Sequence, residues 1–480
     1  MLAAATLGAL GSAWLEEPLV AAHLEPMAVE PSVSPPSTHP GLESAMAQRA
    51  PEASPVVLRA PEAPAAHGGF IPKPSAQHRP PVAVAYQFMA PVYSRPSRDS
   101  LLVGRVRRGT AIPAPSAVGK RCGSGAWYRL GPKAYVCSAE GFHYRAREPF
   151  FVDQRLPSLD RNIPYRYAAV QRLGAPRYLE VPTPDEVAAI AGALHAGDGP
   201  PRLEIVDRYL DGEFFIAIDR REERESGRFV RTVRGRWLHE DDVREVEPSS
   251  LVGEELGGAA ELPMAFVPAG EAAALHRVDS RGLAEHAGIA EPYARARVTG
   301  EIEASGETHL RIQGGLSLRR ADVRLATKIA PPAEIEPGER WIHVDLDEQV
   351  LVAYEGEEPR YVTLVASGKP GWETPTGLHR IANKLAVFTM KGDDPQEGYY
   401  EVEDVPWTMF YDGGYALHGA YWHDAFGSPR SHGCTNLSPA DARYVYAFTS
   451  PDVPEGWQGR VYAKGSWIYL TQSAEAEPAR

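Results

Sequence analysis

Three histidines and one cysteine lie close together near the C-terminus, in the segment YALHGAYWHDAFGSPRSHGCTN. They are His418, His423, His432 and Cys434. An ionised cysteine is a strong nucleophile, and an adjacent imidazole takes up the thiol proton and lowers the thiol pKa. The residue types therefore predict nucleophilic chemistry at Cys434, with His418 as the candidate for its basic partner.

The residues around Cys434 favour a held loop. A glycine immediately before a nucleophile lets successive backbone N–H groups face one point, as an oxyanion hole requires, and Gly433 stands in that position. Ser438, Pro439 and Asp441 predict a capped start for a helix over ADARYVYAF, which would anchor the loop from behind.

Other chemistries remain open for these residues. Zinc is a poor choice, because one cysteine without a CxxC or HExxH motif gives a weak ligand set, and we predict neither a metal nor a cofactor. A buried structural cysteine is a second alternative, but it needs no Ser-His-Gly before it. A cysteine peptidase is a third, because catalytic triads occur in several chain orders.

The segment resembles the signature of the L,D-transpeptidase catalytic domain, the YkuD-like family. In that family a His-Gly pair is followed, after a short insert, by Ser/Thr-His-Gly-Cys and often Asn. The upstream segment WIHVDLDEQVLVAYEGEEPRYVTLVASGKPGWETPTGLHRI is similar to the family's opening strands and TPxG turn. The resemblance covers about residues 336–470 and implies a β-sandwich-like catalytic fold with a flanking helix.

The resemblance also implies roles for individual residues. Cys434 would be the nucleophile, His418 the general base, and Gly419 the residue whose carbonyl orients His418. The surrounding motif would consist of Ser431, His432, Gly433 and Asn436. The implied enzyme is a peptidoglycan L,D-transpeptidase that acts on stem peptides through a cysteine thioester and forms 3→3 cross-links or attaches other amines.

Alternatives to that activity stay open. Water as acceptor would make the enzyme an L,D-carboxypeptidase, and a wall-peptide hydrolase or a decayed peptidoglycan-binding scaffold are further possibilities. Tyr415, Tyr421 and Trp422 are candidates to line the substrate groove, although such aromatics also pack in cores. Arg430 is a candidate for a stem carboxylate or a plain surface charge.

Composition limits the classes of partner. The chain has 480 residues with a net charge of −13, which argues against a nucleic-acid-binding surface. Its 44 prolines and 44 glycines predict many turns and short strands, hence a mainly β, multidomain protein. No apolar stretch is long enough for a transmembrane helix. The oligomeric state cannot be predicted.

The N-terminus is ambiguous. Residues 1–17 contain a short apolar run that ends in small residues, as in a secretory signal, but the first basic residue is Arg49. A disordered start is the alternative. Residues 18–81 are rich in proline and alanine and are predicted to be a flexible linker. A signal would place the protein in the cell envelope, periplasmic or secreted.

Small β modules are predicted before the catalytic domain. The first module, residues 82–142, has about five short strands and resembles a bacterial SH3-like domain. The second module is predicted at residues 163–248, where Thr183, Pro184 and Glu186 form a capping box for a helix. The third is predicted at residues 262–330.

The second and third modules share a faint repeat at an offset of 80 positions. RGRWLHEDDVR begins at Arg234 and GGLSLRRADVR begins at Gly314. The repeat favours related β modules that contact an extended polymer or merely space the last domain.

The three cysteines divide into a pair and a single residue. Cys122 and Cys137 share the first module and would form a disulfide in an exported protein, while Cys434 would stay free. Three reduced cysteines in a cytosolic protein are the alternative.

Overall fold

The structure is a computed structural model that describes residues 56–58, 82–113, 117–145, 155–196, 199–258, 260–270, 272–394, 398–454, 456–461 and 464–473. The predicted signal or disordered start at residues 1–17, and all of the predicted linker except residues 56–58, lie outside these ranges. Strands dominate the described chain, which confirms the prediction of a mainly β fold. None of the helices in this part is long and apolar enough to cross a membrane.

The described residues up to 145 form short strands. They are β1 (Val56–Leu58), β2 (Val82–Ala85), β3 (Met89–Tyr93), β4 (Leu102–Arg107), β5 (Ala111–Pro113), β6 (Ala117–Cys122), β7 (Gly125–Gly131), β8 (Ala134–Cys137) and β9 (Phe142–Arg145). A disulfide joins Cys122 at the end of β6 to Cys137 at the end of β8. Beside it, Trp127 completes a small buried cluster. The SH3-like interpretation of this module stays a prediction.

The first strand departs from the linker prediction. β1 lies within the predicted linker at residues 18–81 and pairs in parallel with a strand of the third module, with Val57 opposite Ile289. Leu58 packs against the buried core of that module. The packing of Leu58 buries apolar surface and helps to hold this strand against the third module.

The described residues of the second module form seven strands and one helix. They are β10 (Arg166–Val170), β11 (Ala175–Tyr178), α1 (Pro184–Ala196), β12 (Val206–Leu210), β13 (Glu213–Arg224), β14 (Gly227–Thr232), β15 (Trp237–His239) and β16 (Val243–Glu245). The predicted helix cap is confirmed: the Thr183 N–H donates to Glu186 Oε2 at 2.8 Å, and the Glu186 N–H donates to Thr183 Oγ1 at 3.3 Å.

The third module is entirely β among its described residues. Together with the strand before it, its elements are β17 (Glu254–Glu255), β18 (Met264–Phe266), β19 (Ala273–Val278), β20 (Ala284–Ala290), β21 (Arg295–Ala304), β22 (Glu307–Ile312), β23 (Ser317–Arg319) and β24 (Arg324–Ala326).

The faint repeat corresponds to the same local structure in both modules. In each, a long hairpin is followed by a short strand, a 3-10 turn (Glu240–Asp242 or Arg320–Asp322) and another short strand. The hydrogen bonds of the turn that joins the hairpin to the first short strand also match. The Thr232 N–H donates to the Arg236 carbonyl at 2.7 Å, and 80 positions later the Ile312 N–H donates to the Leu316 carbonyl at 2.9 Å.

The C-terminal region contains ten strands and one helix among its described residues. They are β25 (Arg340–Asp345), β26 (Val350–Glu355), β27 (Glu358–Leu364), β28 (Gly377–Arg380), β29 (Asn383–Asp394), β30 (Gly398–Asp412), β31 (Tyr415–Gly419), β32 (Thr435–Leu437), α2 (Pro439–Phe448), β33 (Trp457–Val461) and β34 (Trp467–Thr471). The first three strands form an antiparallel meander. β26 is buried almost throughout because both of its faces are covered.

Two sheets enclose the core of this region. One sheet has the order β17-β27-β26-β25-β34-β28, and the other runs through β29, β30, β31 and β32. Ile342 and Leu351 from the first sheet share a buried cluster with Met409 and Leu417 from the second. Val445 of α2 joins the same cluster, so the helix packs behind the strands that carry the histidines and the cysteine.

Candidate active site

The parallel pair β31–β32 brings the candidate nucleophile and its candidate base together. Leu417 lies opposite Thr435, and His418 lies opposite Asn436. Cys434 comes immediately before Thr435. Because side chains alternate along a strand, Cys434 and His418 are placed on the same face, two positions apart on neighbouring strands.

His418 is buried and uncharged at neutral pH. Its side chain is 2% exposed, its ring lies 5.7 Å from the Trp422 ring, and burial lowers its pKa to about 3. His423 adds to this shift, while the Gly419 backbone opposes it. Among the described residues, Nδ1 of His418 has no hydrogen-bond partner. A neutral imidazole has a free lone pair and can accept a proton.

Cys434 is the free thiol of the chain. Its Sγ lies 3.8 Å from the Gly414 carbonyl oxygen, and burial raises its pKa to about 11, opposed by a hydrogen bond from the Ala416 backbone. This differs from the expectation that a neighbouring imidazole lowers the thiol pKa. Loss of hydration dominates because His418 is buried and Cys434 is half-buried, and partial removal from water disfavours the charged forms. The resting site therefore holds a thiol and a neutral imidazole.

The Ser431–Cys434 turn is tied internally. The Ser431 hydroxyl donates to the Cys434 carbonyl, and the Gly433 N–H donates to Ser431 Oγ at 3.1 Å. Gly433 adopts a φ of 107°, and a Cβ there would meet the Tyr415 ring at 2.5 Å. Glycine is thus required at this position, as expected. However, its N–H is already engaged by Ser431, so the Gly433 amide is unavailable to an oxyanion.

A second loop, residues 367–374, is hydrogen-bonded to the Ser431–Cys434 turn. The Ser431 N–H donates to the Ser367 carbonyl at 2.9 Å, and Thr374 Oγ1 donates to the Gly433 carbonyl at 2.9 Å. Thr374 also accepts from the Gly368 N–H at 2.8 Å. Thr374 begins the TPxG turn, so a sequence signal marked the place although the residue was not assigned to the site.

Gln349 also positions this loop and was missed from the sequence. Its amide Nε2 donates to Ser367 Oγ at 2.6 Å, and its Oε1 accepts from the Ser367 N–H at 2.8 Å. Gln349 is 2% exposed and has a φ of 53°. A single glutamine in a turn more than 80 positions before Cys434 carries no local signal for this contact.

His423 has a partner in the signature motif. The Asn436 amide Nδ2 lies 2.9 Å from His423 Nε2, and burial lowers the pKa of His423 to about 4. His423 is therefore tied to the signature motif although it lies in the insert between His418 and Ser431. Asn436, which the resemblance places in the motif, contacts the insert (residues 419–430) through this bond. In the tertiary structure the insert thus folds back against β32.

His432 lies between two aromatic rings. Its ring stacks on Tyr400 with centroids 5.1 Å apart and meets Trp372 edge to face at 5.0 Å. Trp372 belongs to the loop before the TPxG turn, and Tyr400 belongs to β30. His432 is therefore an aromatic contact point on the outer side of the turn.

The four groove candidates divide into different environments. Tyr421 is fully buried and its hydroxyl donates to the Glu403 carbonyl at 2.8 Å, so it takes the core position that was the alternative to the substrate groove. Core packing decides its position. Trp422 is partly buried and contacts His418. Tyr415 is 37% exposed beside Gly433, and Arg430 is exposed.

Helix α2 begins behind the turn at its predicted cap. Ser438 Oγ accepts from the Asp441 N–H at 3.1 Å. The Asp441 carboxylate also accepts from the Gly253 N–H and the Tyr361 hydroxyl, each at 2.7 Å. Burial raises the pKa of Asp441, and these hydrogen bonds oppose the shift. Within the described residues, no group of three or more His, Cys, Asp or Glu side chains is arranged to hold a metal.

Fold and site together define a β-sandwich with a cysteine and a histidine on adjacent strands, backed by a capped helix. Residues 339–461 match the family model of the YkuD family, the L,D-transpeptidase catalytic domain. These residues are therefore similar to a YkuD-type L,D-transpeptidase catalytic domain. No curated protein matches the chain.

Solved L,D-transpeptidase structures match part of the chain. The crystal structure of an Enterococcus faecium L,D-transpeptidase is 25% identical over 31% of this chain and 55% of its own, with a TM-score of 0.24. L,D-transpeptidase 3 from Mycobacterium tuberculosis, in complex with a faropenem-derived adduct, is 19% identical over 34% of this chain and 67% of its own, with a TM-score of 0.24. The chain spans little more than half the length of the E. faecium protein.

Proposed function

We propose that this protein is a peptidoglycan L,D-transpeptidase of the cell envelope that forms 3→3 cross-links through a thioester on Cys434. The observation that carries the proposal is the β31–β32 register, which puts Cys434 and His418 on one face within the matched domain. The free state of Cys434, beside a disulfide elsewhere in the chain, fits an exported thiol enzyme.

Acylation begins from the neutral pair. As Sγ of Cys434 bonds to the carbonyl carbon of a donor stem peptide, its proton passes to His418, so no thiolate accumulates beforehand. The tetrahedral oxyanion is received by the backbone N–H of Cys434, since the Gly433 amide is occupied. The carbon–nitrogen bond then breaks, and the terminal D-amino acid leaves with the proton from His418.

Deacylation reverses these proton transfers. An amine on a neighbouring stem peptide attacks the thioester carbon and gives its proton to His418. The carbon–sulfur bond breaks, and Cys434 recovers a proton as its thiol. The new amide bond is the cross-link. Burial of His418 disfavours its protonated form, and the loss of hydration at the half-buried Cys434 disfavours a free thiolate.

The test is incubation of the full chain with disaccharide tetrapeptide, followed by mass spectrometry of intact protein and products. We expect a covalent adduct on Cys434 and a cross-linked dimer with loss of one D-amino acid. Cys434→Ala is the control for the adduct. Gly257→Ala is the matched surface control, because nothing lies within 4 Å of a Cβ there.

Each other result identifies an alternative. Shortened monomer without dimer would replace the proposal with an L,D-carboxypeptidase. Cleavage at another bond would indicate a wall-peptide hydrolase. Neither adduct nor product, with a folded protein that still binds peptidoglycan, would indicate a scaffold and overturn the proposal.

A further inference from the structure

The second module pairs directly with the strand that covers the candidate active site. β13 and β30 run in parallel, with Glu213 opposite Tyr400 and Phe215 opposite Val402. Tyr400 is also the residue whose ring stacks on His432. The β29–β30 hairpin therefore contacts the nucleophile turn on one side and the second module on the other.

A chain of aromatic contacts runs from the same module to His418. Phe215 lies 6.2 Å from both the Tyr421 and the Trp422 ring centroids. Trp422 in turn faces His418 at 5.7 Å. Tyr167 of the same module stacks on Tyr421 at 3.7 Å. Packing from the second module thus limits how far Trp422, and with it the burial of His418, can relax.

Polar contacts fix the hairpin to the module. Arg177 Nη1 lies 3.4 Å from Glu401 Oε1, with both side chains mostly buried. The Ala217 N–H donates to Glu403 Oε2 at 3.1 Å, and the Tyr167 hydroxyl donates to the Asp404 carbonyl at 2.8 Å. Buried hydrogen bonds of this kind are costly to break, because the buried acceptor would be left unpaired.

The first module contributes to the same strand. Arg107 Nη1 lies 3.0 Å from Asp404 Oδ1, and both side chains are 2% exposed. Two modules that precede the catalytic domain in the chain therefore both contact β30. A spacer would leave the catalytic domain free to move, whereas these buried contacts fix β30 to both modules.

We propose that the second module is a positioning element of the active site: β13 holds the hairpin and Tyr400 over His432, and Phe215 holds Trp422 against His418. The claim rests on the proposed function for its enzymatic readout. It differs from the expectation that the modules only space the catalytic domain or contact a polymer.

Gly212 offers a direct way to disturb this contact. It lies just before β13 with a φ of 135°, and a Cβ there would overlap the Tyr399 carbonyl oxygen. Gly257 has nearly the same φ, 137°, but an added Cβ would meet nothing within 4 Å. Gly212→Ala and Gly257→Ala therefore share the backbone strain, and only Gly212→Ala pushes the hairpin away from the module.

The experiment measures the rate of Cys434 acylation by a carbapenem in the full chain at 25 °C, with thermal unfolding in parallel. We expect Gly212→Ala to slow acylation by about 10- to 100-fold, the loss typical of a misplaced catalytic geometry. We expect Gly257→Ala to match the wild type. Equal acylation rates for Gly212→Ala and Gly257→Ala, with only the melting temperature lowered, would overturn the proposal.

Phe215→Ala provides a second variant if Gly212→Ala fails to fold. Loosening Trp422 would expose His418 and move its pKa from about 3 back toward its usual range. The acylation rate would then fall between pH 7 and pH 5, where the wild-type rate keeps its neutral base, and Phe215→Leu would largely restore the wild-type profile. An unchanged pH profile in Phe215→Ala would count against the proposal.

Failure of the proposed function would be visible separately. If the wild type is not acylated, alkylation of Cys434 by iodoacetamide still reports the geometry. Faster alkylation in Gly212→Ala than in Gly257→Ala would show that the hairpin shields the thiol, and equal alkylation would refute the inference.

Discussion

The second and third modules share a local fold but hold opposite ends of the insert. The second module contacts its first half through rings, with Phe215 and Tyr167 against Tyr421 and Trp422. The third module contacts residues 424–427 of the insert through hydrogen bonds: Tyr293 Oη donates to Asp424 Oδ1 at 2.5 Å, the Ala269 N–H to the Phe426 carbonyl at 2.9 Å, and Arg324 Nε to the Gly427 carbonyl at 2.8 Å.

This difference shows that a repeat in sequence does not imply a repeated role. Apolar rings packed beside His418 control its burial, because they exclude water. Hydrogen bonds to Asp424 and to backbone carbonyls set the path of the chain toward Arg430 without touching the base. We therefore expect perturbation of the second module to change the chemistry and perturbation of the third to change mainly the stability.

Removal of the Cys434 thiol is expected to have the largest effect, and it gives the lowest acylation rate with which module variants are compared. Cys434→Ala is expected to abolish thioester formation and carbapenem acylation, because no backbone group can replace the nucleophile. His418→Ala is expected to be nearly as damaging, and the double variant no worse than Cys434→Ala. Intact-mass spectrometry measures the adduct. Near-normal acylation in His418→Ala, with loss in His432→Ala, would move the base to His432.

The second module also makes a pH-sensitive contact with Glu403 of β30, through the Ala217 N–H. Burial raises the pKa of Glu403 to about 7, with Asp404 and Glu401 adding to the shift and Arg234 and the Ala217 N–H opposing it. A raised carboxyl pKa disfavours the charged form in the folded state, so the free energy of unfolding falls as pH rises from the usual carboxyl pKa to about 7. The loss is about 3 kcal/mol at most. Urea unfolding of Glu403→Gln should show a flatter profile over pH 4.5 to 7.5, and an identical profile would contradict this.

Burial of the site predicts an unusual thiol titration. Because the pKa of Cys434 is raised to about 11, iodoacetamide alkylation should rise about tenfold per pH unit from pH 7 to pH 9. Mass spectrometry with the disulfide intact follows the single free thiol. A plateau near neutral pH would instead indicate a preformed thiolate–imidazolium pair and would contradict the raised pKa of Cys434.

The insert itself is tested at His423. His423→Ala removes the partner of Asn436 Nδ2, and leaving that buried amide unpaired costs about 1 to 3 kcal/mol. We expect slower acylation by roughly tenfold, since Asn436 lies opposite His418 in the register. His432→Ala is the comparison variant and is expected to fall between His418→Ala and the wild type. Wild-type acylation in His423→Ala would show that the bond is only structural.

The smallest effect belongs to the third module. Tyr293→Phe removes the hydrogen bond to Asp424 and is expected to lower the free energy of unfolding by about 1 to 2 kcal/mol. Acylation is expected to stay within about twofold of the wild type, since no contact of Tyr293 reaches His418 in the described residues. A loss of acylation comparable to that of Gly212→Ala would erase the contrast between the modules.

Local signals in the sequence were sufficient for the helix starts and the motif. Thr183 with Glu186 and Ser438 with Asp441 predicted where α1 and α2 begin, because a cap involves residues only three positions apart. The spacing from His418 to Cys434 likewise pointed to the segment that contains the site. The repeated turn at an offset of 80 was readable for the same reason, since its hydrogen bonds are local.

Only the tertiary structure decided how these pieces meet. The sequence alone could not show that Tyr421 is buried on Tyr167, that His423 bonds Asn436, or that Gln349 holds Ser367. It also could not show that burial, rather than the neighbouring imidazole, controls the charge of Cys434. The physical reason is range: caps, turns and alternation depend on neighbours in the chain, whereas strand register and desolvation depend on segments that become neighbours only when the chain folds.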